Sequence, residues 1–154
     1  MVKKSAGILA YKFVENTLEV FLVHPGGPFW KNKDLGAWSI PKGEFTQEES
    51  ALDAAIREFK EETGIGISGN FIELSPVKLK SGKIVYAWAI EHDIDISEFK
   101  CGSFIEIEWP PRTGKTLSIP EVDKAEWFTT DEAKKKINPS QAALVDELIE
   151  KLSE

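Results

Sequence analysis

The stretch Gly43-Glu44-Phe45-Thr46-Gln47-Glu48-Glu49-Ser50-Ala51-Leu52-Asp53-Ala54-Ala55-Ile56-Arg57-Glu58-Phe59-Lys60-Glu61-Glu62-Thr63-Gly64-Ile65 decides how the rest of the chain is read. It reads as a loop feeding one helix. Thr46 with Glu49 three residues on predicts a capping box at the helix start. Gly64 supplies the left-handed position that ends it. Between them, Leu52, Ala55, Ile56 and Phe59 recur at helical spacing and make one apolar stripe for a core.

Glu58, Glu61 and Glu62 lie beside that stripe. Their i, i+3, i+4 spacing brings three carboxylates out of one patch of the helix surface, where they repel one another by a few tenths of a kcal/mol per pair. A divalent cation reverses the sign of that interaction, and clustered carboxylate oxygens are what hard ions such as Mg²⁺ or Mn²⁺ select. Taken alone, such a helix also reads as a solvated face balanced by Arg57 and Lys60.

Composition narrows the setting. The chain has 154 residues, enough for one domain that buries roughly 70% of its unfolded surface. Its 42% hydrophobic and 29% charged residues are those of an ordinary globule. No apolar run reaches membrane-spanning length, and the start, Met1-Val2-Lys3-Lys4-Ser5, lacks an adequate signal-peptide core. The single cysteine, Cys101, has no partner for an internal disulfide. The expected compartment is therefore the reducing cytoplasm. A net charge of −7 argues against a broad nucleic-acid surface. It also repels an anionic substrate, unless bound cations change the sign of the field locally.

Strands are expected over Ser5–Phe13 and Leu18–His24, joined by a turn at Glu15-Asn16-Thr17. Pro25 to Gly36 reads as an irregular loop, and Ala37–Ile40 as a short strand. After the helix, Phe71–Leu79 and Lys83–Glu91 form a second hairpin across Lys80-Ser81-Gly82. Phe104–Trp109 is a strand, Pro110–Pro120 a long loop, and Lys124–Phe128 a last strand. A short helix over Thr130–Lys136 takes Thr129 or Thr130 as its cap. Asn138-Pro139 opens the final helix, with Leu144, Leu148, Ile149 and Leu152 facing the core. The fold class is α/β, a mixed sheet between helices. No interdomain linker is visible, so 1–154 is expected to be one domain.

From Gly43 through Glu49 to Arg57-Glu58-Phe59-Lys60-Glu61-Glu62-Thr63-Gly64-Ile65, the sequence resembles the Nudix box at every defining position. The preceding Trp38-Ser39-Ile40-Pro41-Lys42 is similar to the run that leads into that box. The resemblance implies a Nudix-type α/β/α sandwich, and hydrolysis of a nucleoside diphosphate linked to some other group with Mg²⁺, or Mn²⁺ in its place. It implies metal binding by Glu58, Glu61, Glu62 and the main-chain carbonyl of Lys42. Arg57 matches the arginine that orients a glutamate, and Glu58, Glu61 and Arg57 are the expected catalytic group. Glu58 is the first candidate for the general base, with Glu106, Glu108, Glu121 and Asp123 as substitutes. Gly43, Glu49 and Gly64 are expected to be structural.

Substrate binding calls for cations and a flat surface. Lys42 stands beside the box and can reach a phosphate. Phe29 and Trp30, inside a Gly/Pro loop, are the expected stacking pair for a base, whereas Trp38, Trp88 and Trp127 read as core. His24 and His92 read as structural or surface residues, with His24 a secondary candidate at the site. Ser5-Ala6-Gly7-Ile8, Tyr86-Ala87-Trp88-Ala89 and Glu126-Trp127-Phe128 resemble strands of the small diadenosine-tetraphosphate hydrolases of the family, though Pro25–Lys33 does not match that group. A dinucleoside polyphosphate is the expected substrate. A nucleoside triphosphate, or ADP-ribose and nucleotide sugars, remain open, as does a non-catalytic nucleotide-binding module. No nucleic-acid or membrane partner is expected, and the chain reads as a monomer or homodimer.

Overall fold

The structure, a computed structural model, describes residues 2–153. Its centre is β1 (Lys4–Val14), which turns at Glu15-Asn16 into antiparallel β2 (Thr17–Pro25). Both turn residues adopt positive φ, 49° and 69°. Parallel to β1 on its other side runs β6 (Ile84–Glu91), and β9 (Val122–Thr129) closes the far edge against β2. The mixed seven-stranded sheet includes short β4 (Ile72–Glu73) and β5 (Val77–Lys78), both on β6, and β3 (Lys42–Glu44) on β1.

Side-chain alternation in the two central strands supplies two cores. Leu9, Tyr11, Val20 and Leu22 point to one face, where they meet Leu144, Val145 and Leu148. Ile8, Ala10, Phe21 and Val23 point to the other, where they meet Ala54, Ala55 and Phe59. A sheet covered on both faces reads as continuous apolar runs, as Ala6 to Tyr11 and Val20 to Val23 do. The helices are α1 (Ala51–Thr63) on one face, with α2 (Thr130–Lys136) and α3 (Ala142–Leu152) on the other. This is the expected α/β/α sandwich.

Five local expectations are corrected. The strand expected over Ala37–Ile40 is reduced to two isolated bridges, Ser39 to Val23 and Trp38 to Ile137. α1 starts later than the capping box implied: Ser50 is the N-cap, and its side chain accepts from the Asp53 N–H at 3.1 Å. Thr46 instead holds a turn, its carbonyl accepting from the Glu49 N–H, and Glu49 stays outside the helix. Phe71–Leu79 is broken into β4 and β5 around Pro76, where Ser75 turns its N–H to Glu147 at 2.7 Å. The loop expected over Pro110–Pro120 contains β8 (Thr116–Pro120), which pairs with β7 (Phe104–Glu108) as a separate hairpin. Its turn closes on the Glu108 carboxylate, which accepts from the N–H groups of Arg112 and Gly114. Finally, Asn138 caps a 3₁₀ turn over Pro139–Gln141, and α3 begins after it.

Candidate active site

The buried face of α1 is not purely apolar. It runs through Ala54, Ala55, Glu58, Phe59, Glu62 and Thr63, so two of the three box glutamates are turned inward. Glu58 is 8% exposed and Glu62 5%. Glu61 lies on the outer rim with an exposed side chain. The helix ends as the sequence predicted: Gly64 adopts φ 78°, and its N–H donates to the Lys60 carbonyl.

β3 brings the other half of the site. It lays Lys42 and Gly43 over the inward glutamates, and the Lys42 N–H donates to Glu62 Oε1 at 3.2 Å. Glu121, between β8 and β9, approaches from the opposite side, where it joins Lys42 and Glu62 in lining one cavity. Burial pushes the Glu62 carboxyl up to about 8, with the charge of Glu121 as the second cause. Burial also raises Glu58 above its ordinary value, against the opposing bond from Arg57. Desolvation lowers the Lys42 ammonium, with nearby Lys83 acting in the same direction.

Arg57 ties the acids together. It donates to Glu49 from Nη2 at 2.5 Å and from Nε at 3.2 Å, a bidentate pair. Its Nη1 donates to Glu58 at 2.8 Å and to Glu61 at 3.2 and 3.3 Å. These bonds, the one to Glu49 foremost, hold the guanidinium above its ordinary pKa. Glu49 therefore anchors Arg57 instead of capping the helix.

The donor set fits a hard divalent cation. Burial holds both carboxyls above their ordinary values even with Arg57 on Glu58 and Lys42 beside Glu62, so a further positive charge would favour ionising the pair. Among the described residues, no three acidic, imidazole or thiol side chains are yet gathered closely enough to enclose an ion. Arg57 lies between Glu58 and Glu61, so Glu61 joins the inner pair only by exchanging that contact.

The remaining expected residues divide clearly. Of the four substitute bases, Glu121 alone faces the site. Asp123 accepts from or pairs with His24 Nδ1 at 2.9 Å, Glu108 closes the hairpin turn, and Glu106 lies exposed on β7. Phe29 is exposed and Trp30 half-buried, their rings edge-to-face at 5.0 Å, and both line a second cavity next to the first. The Lys33 ammonium sits 3.5 Å from the centre of the Phe29 ring. Trp38 is buried, its N–H donating to Asp34, and His24 is buried against it, with Nε2 on the Lys33 carbonyl.

Two positioning residues escaped the sequence reading. Buried Gln141 accepts from the Ile40 N–H at 3.1 Å and bonds Ser39, which fixes the strand entering the site. Ser103 donates to the Glu121 carboxylate, and its carbonyl takes the Glu121 N–H. The next residues back, Lys100 and Gly102, donate to Thr63 and Glu61, so one segment joins the end of α1 to Glu121. Neither residue belongs to a motif or an apolar period, so only the packed structure identifies it.

Comparison with known proteins adds the family. The family model of the NUDIX domain matches residues 3–148. A search of the curated proteins found no match. Among solved structures, the chain is similar to the NUDIX domain of Shewanella oneidensis NrtR complexed with ADP ribose, with TM-score 0.69 and 16% identity over 99% of this chain and 89% of that one. It is also similar to a C. elegans Ap4A hydrolase binary complex, with TM-score 0.65 and 20% identity over 99% and 98%. A mutT/nudix family protein from Listeria innocua gives TM-score 0.61 and 17% identity over 98% and 94%. At these identities the structural likeness speaks for the fold, while the family rests on the match over nearly the whole chain. The chain belongs to the NUDIX family, and its class is that of a pyrophosphohydrolase.

Proposed function

We propose that this chain hydrolyses a nucleoside diphosphate linked to a second group, with Mg²⁺ as cation and a dinucleoside polyphosphate such as diadenosine tetraphosphate as substrate. Hydrolases of this family generally use divalent metal ions. The observation that carries the reading is the inward pair Glu58 and Glu62 facing Lys42 under β3. A carboxylate pair so buried has no use as a solvated face. The cation supplies charge neutralisation at the phosphate oxygens.

The chain's own residues do the rest. Glu58 and Glu62, with Glu61 and the Lys42 carbonyl, would hold the cation. Arg57 fixes the Glu58 carboxylate through its 2.8 Å bond, and Glu49 fixes Arg57 in turn. Glu58 accepts a proton from water as the water oxygen bonds to phosphorus. The bridging P–O bond of the anhydride breaks, its oxygen leaving with the electron pair on the departing phosphate, while the Lys42 ammonium binds a phosphate oxygen. Phe29 and Trp30 take the base. A binding module without turnover usually carries a damaged box, and here Arg57, Glu58, Glu61 and Glu62 are all present.

ADP-ribose is the second reading, favoured by the fold shared with the NrtR domain that binds it. Turnover of diadenosine tetraphosphate, nucleoside triphosphates, ADP-ribose and nucleotide sugars, with Mg²⁺ and with chelator, separates the two. Mg²⁺-dependent release of nucleotide products from the dinucleotide supports the first reading. Product from ADP-ribose alone supports the second, and no product in any arm defeats both.

A further inference from the structure

Near the end of β2, His24 turns both ring nitrogens toward acceptors. Nδ1 lies 2.9 Å from the Asp123 carboxylate on β9, and Nε2 lies 2.6 Å from the Lys33 carbonyl in the loop after β2. A carbonyl has no hydrogen to give, and neither has an ionised carboxylate. Each nitrogen must bring its own, so both bonds form together only on the imidazolium. The ring is 1% exposed and packs edge-to-face on Trp38, with 5.2 Å between ring centres. Lys124 is its cross-strand neighbour, and that ammonium stands 5.4 Å from the Trp38 ring centre. Asp34 accepts from the Trp38 indole and pairs with Lys136 of α2, and the Lys33 ammonium lies over Phe29. Asp123 is thus the carboxylate that balances a charge on His24. Val23, which lines the acidic cavity, points to the opposite face of the strand.

The Lys33 carbonyl belongs to the turn that carries the aromatic pair. The Lys33 N–H donates to the Trp30 carbonyl at 2.9 Å, and the Trp30 N–H to the Gly27 carbonyl at 3.2 Å. Phe29 and Trp30 therefore ride on one folded turn. Its ends are fixed by Gly26, which donates to the Glu121 carbonyl, and by Asp34 on the Trp38 indole. Between those points, among the described residues, the bond from His24 is the one hydrogen bond from the turn to the body. Imidazole is the unperturbed side chain whose charge changes between about pH 5 and 8. The bond to the Asp123 carboxylate is charge-assisted and the stronger of the two, so Nδ1 keeps its hydrogen when one is lost. The Nε2 lone pair then faces the Lys33 carbonyl oxygen, and the contact turns repulsive.

We propose that His24 is a positioning residue which, as an imidazolium paired with Asp123, latches the Phe29–Trp30 turn to β2 and releases it when the proton on Nε2 is lost. The latched form has taken up the extra proton. The latch is therefore complete on the acid side of the imidazole range and is lost as pH rises through it. It needs no ligand, so it stands or falls apart from the reaction proposed above.

Nitrogen-15 NMR of histidine-labelled protein reads the ring directly, because the chain has 2 histidines and His92→Gln removes the other signal. Both His24 nitrogens are expected to carry hydrogen at about pH 5.5, and Nε2 to lose its own by about pH 8.5. Hydrogen exchange of the loop amides over residues 25–36, corrected for intrinsic rate, reads the latch. Protection should fall about tenfold or more between the same pH values, the scale of one hydrogen bond to a charged group. His24→Gln brings an uncharged amide N–H to the Lys33 carbonyl, and its fall should stay below about threefold. Glu62 titrates in both proteins, so the difference between them belongs to His24. Asp123→Asn, at a side chain 36% exposed, should move the fall about one pH unit or more towards acid. Nε2 without hydrogen at pH 5.5, loop protection independent of pH, the same fall in His24→Gln, or an unmoved fall in Asp123→Asn would each overturn the latch.

Discussion

Gly43 and the carboxylate of Glu58 occupy adjoining space with no room for a side chain between them. A β-carbon at position 43 would stand 2.0 Å from Glu58 Cδ and 2.1 and 2.4 Å from its two oxygens. Glycine at position 43 leaves the Glu58 carboxylate room to lie against β3. Gly43→Ala is therefore expected to swing Glu58 away and lower kcat about a hundredfold or more, on the scale of removing a catalytic acid–base group. Steady-state kinetics alongside thermal melting would check this, and wild-type kcat in a folded variant would refute it.

Glu62 links the site to stability. Its folded pKa of about 8 lies above the ordinary carboxylate value, so the native state holds a proton that the unfolded state has already released. Stability from this group is full below pH about 4.3 and falls as pH rises through about 8. The metal-free protein should melt several degrees lower at pH 8 than at pH 5.5 on this account. Glu62→Gln should flatten that slope, and Mg²⁺ should raise the melting temperature most at the alkaline end. A melting temperature independent of both pH and Mg²⁺ would contradict the assignment.

Arg57 makes five contacts to three carboxylates at once, and only a planar fork can do so. Arg57→Lys keeps the charge and loses the geometry. We expect kcat to fall about ten- to a hundredfold with little change in KM, because the loss lies in the orientation of Glu58 and not in substrate contact. A variant with raised KM and intact kcat would instead place Arg57 on the substrate.

Trp30 tests the base contact in turnover. Trp30→Ala should raise KM roughly five- to a hundredfold and change kcat less, as expected for a residue that binds the base equally in the ground and transition states. An unchanged KM would remove the indole from the base site.

Much of this was legible in the chain. Box spacing identified α1 and its acids, and strands flanked by helices pointed to a mixed sheet between helices. The start of α1 was misread because Thr46 and Glu49 mimic a capping box, whereas Ser50 caps the helix and Arg57 claims Glu49. β8 was misread because Pro110 to Gly114 resembles loop throughout, while its pairing with β7 is a long-range contact that no local signal records. The same limit hid Ser103 and Gln141, whose partners lie 18 and about 100 residues away. Glu121 stood among four equivalent acids until the fold turned it alone toward Glu62.

The central claim is that Glu58 and Glu62 together hold a divalent cation. Its most direct test is electron paramagnetic resonance of Mn²⁺ titrated into the wild-type protein and into Glu58→Gln and Glu62→Gln, where binding removes the free-ion signal. The account predicts saturable Mn²⁺ binding that weakens about tenfold or more in each variant, since each substitution removes a charged oxygen donor. Equal Mn²⁺ affinity in all three proteins would contradict it.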